Sequence, residues 1–179
     1  MIIIKIAFGK SSVSLKHFES EYEFTKYLDT CDLKLVLNYN NDYSDTYDVI
    51  TVYSEEKFDI GIRYDWHGLQ PNLLLFPQQQ KIMCSFENEL VCIDCISKDV
   101  AFRHTLSSLI FSINHIEKRH LIVVIHEMGV MVMHETGQEI WSCDGTDIIQ
   151  NYKISDDRIY ILCADGYDIT FSVSDGKPV

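Results

Sequence analysis

The chain has 179 residues, 46 % of them hydrophobic, with 27 acidic against 15 basic side chains and a formal net charge of −12. That length supports one domain or two small ones with a buried core. The charge argues against direct binding to a nucleic-acid backbone, which needs a Lys/Arg footprint that no stretch provides, and no apolar run is long enough to span a membrane.

In chain order, residues 2–8 (IIIKIAF) lack the basic start and small-residue cleavage site of a signal peptide and read as a first strand, followed by a polar turn over residues 9–12. The expected location is therefore the cytoplasm. A helix comes next: Ser20 and Glu23 have the spacing of a capping box, Phe24, Tyr27 and Leu28 make an apolar stripe, and the pattern stops near Thr30. Leu33, Leu35 and Leu37 alternate with more polar neighbours as a strand, and residues 38–46 are a polar loop. Residues 48–53 and 58–64 form a hairpin. The stretch 65–77, DWHGLQPNLLLFP, is a junction in which two prolines and a glycine bracket an apolar run, 73–76, the strand expected to tie the two parts together. Residues 1–77 are thus α+β in character.

Residues 78–179 repeat. Sliding the sequence by 39 positions superimposes the stretches that begin at Lys81, His120 and Ile159. Val91, Val130 and Ile169 coincide, as do Ile93, Val132 and Phe171, while Thr136-Gly137 meets Ser97-Lys98 and Asp175-Gly176. Each unit reads as four strands, at 82–86, 90–96, 100–103 and 109–113, then at 121–126, 130–135, 139–142 and 148–153; a third unit stops after two. A period near 40 with several short strands per unit is that of a propeller blade. The expected fold is mainly β, an incomplete β-propeller-like array of four-stranded units behind an α+β N-terminal part. Such an array leaves strand edges that another element must cover.

Residues 130–141, VMVMHETGQEIW, resemble the second half of a quinoprotein-type (PQQ-like) propeller repeat, akin to WD-like repeats, whose motif is A-x-D-x-x-T-G-K-x-x-W. Thr136, Gly137 and Trp141 match, whereas Met131, Met133 and Gln138 stand where the family has Ala, Asp and Lys. The resemblance implies architecture more than activity. A quinone site needs many blades around an axis and this chain has fewer than three, so no cofactor is expected.

Motifs for catalysis are sparse. Cys92 and Cys95 make a C-x-x-C, but side chains three apart on a strand point to opposite faces. Cys84 and Cys92, facing each other across a hairpin, read as a buried, reduced apolar pair. His126-Glu127 and His134-Glu135 match no metal motif: there is no H-E-x-x-H, and adjacent strand residues diverge. No metal site is expected, and a metal-dependent enzyme using His126 and His134 ranks last among the readings.

The sequence points instead to binding. Asp42, Tyr43, Asp45, Tyr47, Asp48, Glu55, Glu56 and Trp66 bring rigid aromatics and carboxylates into one short span, as a surface aimed at Arg and Lys would. In overall profile the chain resembles bacterial immunity proteins, which neutralise cognate toxins, many of them basic nucleases, by binding them. That profile implies a non-enzymatic inhibitor with a basic protein partner. An adaptor or structural module of a larger assembly is the alternative.

Overall fold

The computed structural model describes residues 3–8, 11–38, 44–53 and 56–179. It divides into two compact units, Met1–Gln70 with Leu75–Met83 and Val91–Ala101, and Pro71–Leu74 with Cys84–Leu90 and Phe102–Val179.

The first unit contains a five-stranded sheet, in the order β1 (Ile3–Phe8), β2 (Ser11–Phe18), β4 (Thr46–Tyr53), β5 (Lys57–Tyr64), β3 (Lys34–Leu37). All pairs are antiparallel except β3 with β5. Strand β2 replaces the expected turn over residues 11–12 and occupies the stretch before the helix. Helix α1 (Glu21–Leu28) begins where the capping pattern placed it, with the Glu23 N–H donating to the Ser20 hydroxyl at 3.3 Å. Phe24 and Leu28 bury themselves against Phe18, Tyr47 and Val49. Gly61 on β5 makes this packing possible. A Cβ there would lie 2.9 Å from both Phe24 and Leu28, so the helix sits closer to the strand than any side chain would permit.

The remaining strands are mainly-β repeat units, as expected. One sheet has the order β6 (Asn72–Phe76), β7 (Lys81–Phe86), β8 (Glu89–Asp94), β9 (Asp99–Thr105), with segments in both units. The second unit also holds β10 (Ile110–Ile116), β11 (Leu121–His126), β12 (Gly129–His134) and β13 (Glu139–Asp144) as one sheet, and β14 (Ile149–Ile154), β15 (Arg158–Cys163) and β16 (Asp168–Ser172) as another. The grouping differs from the sequence expectation by one strand: each sheet starts at β6, β10 or β14, not one strand later. Strand β10 shows why, since it pairs along its length with β11 and continues the hairpin that follows it. A bulge between Ile110 and Ser112 on β10 recurs 39 positions later (149 − 110) between Ile149 and Asn151 on β14.

Packing follows from the patterns. Every residue of β11 is buried and so are the first five of β12, which explains their continuous apolar runs, whereas β15 alternates. Leu121, Val123, Ile125, Val130 and Val132 of one sheet pack with Ile149, Ile159, Ile161, Cys163 and Phe171 of the next. A second contact repeats with the period. Phe102 on β9 lies over Gly137, where a Cβ would come within 2.6 Å of its ring, and Trp141 on β13 lies over Gly176, where the corresponding distance is 2.7 Å. The two aromatics are 39 apart, as are the two glycines. Trp141 also donates its indole N–H to the Val173 carbonyl at 2.8 Å.

Both glycines have positive φ, 90° and 67°, and both sit beneath a ring, so no other residue fits without strain. Gly176→Ala should cost about 2 kcal/mol through overpacking and backbone strain, and Trp141→Phe about 1 kcal/mol through the lost hydrogen bond. Urea unfolding of the two variants against the parent checks both values.

Candidate functional site

The β4–β5 hairpin sorts the candidate binding residues. Thr46 pairs with Tyr64 at one end and Tyr53 with Lys57 at the other, roughly 23 Å apart at the usual rise per strand residue. Asp45 and Trp66 flank the first end. The Asp45 carboxylate accepts from the Thr46 hydroxyl at 2.7 Å and from the Trp66 N–H at 2.9 Å. These bonds, the Thr46 contact foremost, hold its carboxyl below the ordinary aspartate range. The backbone of Trp66 is thereby fixed while its side chain stays 58 % exposed. Asp65 adjoins it, 3.6 Å from the His67 ring.

Glu56 lies at the opposite end of the hairpin, paired with Lys98. Tyr47 and Asp48 face the interior. Tyr47 packs on Phe24 with ring centroids 5.5 Å apart, beneath the Arg63 guanidinium, and its hydroxyl donates to the Ser44 carbonyl at 2.6 Å. Asp48 is 3 % exposed, held between the Tyr64 hydroxyl at 2.7 Å and the His17 imidazole at 3.0 Å. These two residues therefore hold the sheet together and leave the candidate surface. Asp42, Tyr43 and Glu55 lie outside the described residues. Of the eight candidates, the structure brings Asp45 and Trp66 together on one exposed surface.

The histidines and cysteines are built into the fold. His126 is 4 % exposed, and its Nδ1 lies 2.8 Å from the Ser108 hydroxyl, which accepts from the Met128 N–H. Burial pushes its pKa below the ordinary value, against the opposing field of Asp144, so the ring is neutral. His134 is exposed at the other end of the same hairpin, opposite Leu121, so the two cannot share an ion. The sequence reading set Glu135 beside His134 and missed its partners: the carboxylate accepts from His115 at 2.6 Å and from His120 at 3.3 Å. Only His120 and Glu135 flank turns in the sequence, and nothing in the spacing of His115 joins it to them. Among the described residues no group of three or more His, Cys, Asp or Glu side chains is arranged to hold a metal ion.

Cys84 and Cys92 are both buried. Burial raises the Cys92 thiol to about 11 and the Cys95 thiol to about 12, which keeps both protonated and poorly nucleophilic. Among the described residues no helix is long and apolar enough to cross a membrane.

No family model matches the chain, and no curated protein matches it. Several solved structures resemble it. The computationally designed Ika8 protein superposes with a TM-score of 0.53 at 15 % identity, over 99 % of this chain and 60 % of its own. The designed Ika4 protein gives 0.51 at 16 % identity, over 65 % of this chain and 74 % of its own. BamB from Moraxella catarrhalis gives 0.45 at 13 % identity, over 70 % of this chain and 39 % of its own. For the two designed proteins the likeness is one of fold.

Two outcomes follow for the parent protein. Cys84 and Cys92 should resist a thiol reagent in the native state and react on unfolding, as mass spectrometry of labelled peptides will show. A buried neutral histidine contributes stability that is complete above its unfolded pKa of about 6.5 and declines as pH falls toward its lower folded value. The stability advantage of the parent over His126→Gln should therefore shrink as pH is lowered from about 7.5 to 5.5, as urea unfolding of both at each pH will show.

Proposed function

We propose that the protein is a non-enzymatic binding protein that neutralises a basic protein by capturing it, as an immunity protein does its cognate toxin, in a bacterial cytoplasm. The observation that carries this reading is Trp66. A large aromatic side chain is displayed to solvent on a backbone anchored by Asp45, next to Asp65, in a chain with a net charge of −12. A rigid indole beside carboxylates suits a partner that presents arginine or lysine: the ring offers cation–π contact and desolvated area, and the carboxylates offer steering. The structural roles of His126, Cys92 and Asp48 support the same reading, because these three groups are committed to holding the fold.

The test begins with the basic protein that co-purifies with the chain from its native cell. Trp66→Ala should speed dissociation and weaken that complex by about 2 kcal/mol or more, whereas Asp45→Asn with Asp65→Asn should mainly slow association. An asparagine side chain in place of Asp45 keeps an oxygen to accept the Trp66 N–H, so the second pair separates charge from geometry. Each variant must keep the parental thermal midpoint. Unchanged kinetics in both would remove Trp66 and its neighbours from the interface, and recovery of no basic protein at all would remove the proposed function.

A further inference from the structure

The turns at one end of the repeat sheets are stitched into a single row by backbone hydrogen bonds. The Glu87 carbonyl accepts from the Ile110 N–H at 2.7 Å, Leu109 from Glu127 at 2.7 Å, Glu127 from Ile149 at 2.8 Å, and Ile148 from Ala164 at 2.8 Å. The β7–β8 turn, the β9–β10 connection, the β11–β12 turn, the β13–β14 connection and the β15–β16 turn therefore form one continuous surface. Its charge is one-sided. The turns and the adjoining strand ends carry Glu87, Glu89, Glu127, Asp144, Asp147, Asp165 and Asp168; Arg103 near the end of β9 lies 3.6 Å from Glu89, and the turns themselves contain no lysine or arginine. The buried His126 beside them is neutral and adds no positive charge.

The opposite end of the same sheets is built differently. There Lys118 meets Asp156 at 2.8 Å, Lys177 meets Asp175 at 2.8 Å, and Arg158 lies 3.9 Å from Asp157. Beyond the Arg103–Glu89 pair, the acids of this end stand in turns that contain no lysine or arginine, whereas the other end interleaves the two signs.

The acidic row also has an apolar part. Ile148 is 41 % exposed and Tyr167 46 % exposed, with Leu109 and Met128 half-buried in the same turns. Turn geometry explains two of the carboxylates: Asp147 accepts from the Ile148 N–H at 2.7 Å and Asp165 from the Tyr167 N–H at 2.9 Å, each fixing the backbone of the exposed side chain beside it. Solvation alone gives no reason for apolar side chains to stand out among carboxylates. Contact area with a charged rim does.

We infer that this end of the repeat sheets is a docking surface for a lysine- and arginine-rich protein segment that also presents apolar side chains. The inference rests on the proposed binding function, and it assigns the contact to residues other than Trp66. Charge complementarity selects the partner's sign, and Ile148 and Tyr167 supply the area that a purely ionic contact lacks.

The probe is a synthetic peptide of alternating arginine and leucine, titrated into the isotopically labelled full chain at about 150 mM salt, where long-range attraction between exposed charges is largely screened. Amide shifts should concentrate at Glu87, Glu127, Ile148, Asp165 and Tyr167. Ile148→Ser with Tyr167→Ser should weaken binding about tenfold, and Asp144, Asp147, Asp165 and Asp168 all changed to Asn should do so by more. Those amides retain the turn acceptors, and Asp156→Asn at the other end should change nothing. Shifts confined to the Asp45–Trp66 surface would overturn this inference and leave the proposed function standing. Shifts spread evenly over both ends, serine variants that bind like the parent, or no binding anywhere would also overturn it, while the proposed function stands or falls on the co-purified protein. If the fourfold variant fails to fold, the shift map and the serine pair decide the matter.

Discussion

The contact on which the repeats depend is an aromatic ring seated on a glycine of the following sheet. Phe102 over Gly137 and Trp141 over Gly176 are the same contact one period apart. It joins the outermost strand of one sheet to the turn after the third strand of the next, so it fixes the spacing between sheets as well as their order. Both partners are constrained: the turn requires positive φ, and the ring leaves no room for a Cβ. At the corresponding turn of the preceding unit, Lys98 takes positive φ without being glycine, and its side chain pairs with Glu56 of the β4–β5 hairpin. An ion pair stands there where later units use a ring.

This contact explains which parts of the fold were legible in the sequence. The pairs Thr136-Gly137 and Asp175-Gly176 and the residue Trp141 marked the period because the docking requires them individually. Hairpins such as β11–β12 were legible from their apolar runs, and α1 from Ser20 and Glu23. Strand β2 was not, because Ser11, Ser12 and Ser14 dilute its apolar alternation, although its partner β1 is the strand just before it. The phase of the four-strand units was ambiguous for a related reason. A repeat of strands has the same period wherever counting starts, and only the pairing of β10 with β11 decides it.

The candidate site was legible in part. Aromatic and acidic residues between positions 38 and 66 share one composition but not one environment. Local pattern cannot distinguish Asp45, which caps a neighbouring backbone at the surface, from Asp48, which lies between Tyr64 and His17 across two strand pairings. The same limit hid the acidic row of turns, whose members are spread over more than eighty positions and meet only through the hydrogen bonds between sheets. Burial also shapes what three of the chemically able groups do. A neutral His126 and protonated Cys92 and Cys95 are suited to packing and hydrogen bonding.

At the centre stands the proposal that this is a binding protein whose acidic surface recognises a basic protein. It is tested most directly by the salt dependence of the association rate with the basic protein recovered from the native cell, measured from about 50 to 500 mM salt. The predicted result is a steep fall in the association rate with little change in dissociation, the mark of steered encounter followed by short-range contact. An association rate that does not change with salt would contradict it.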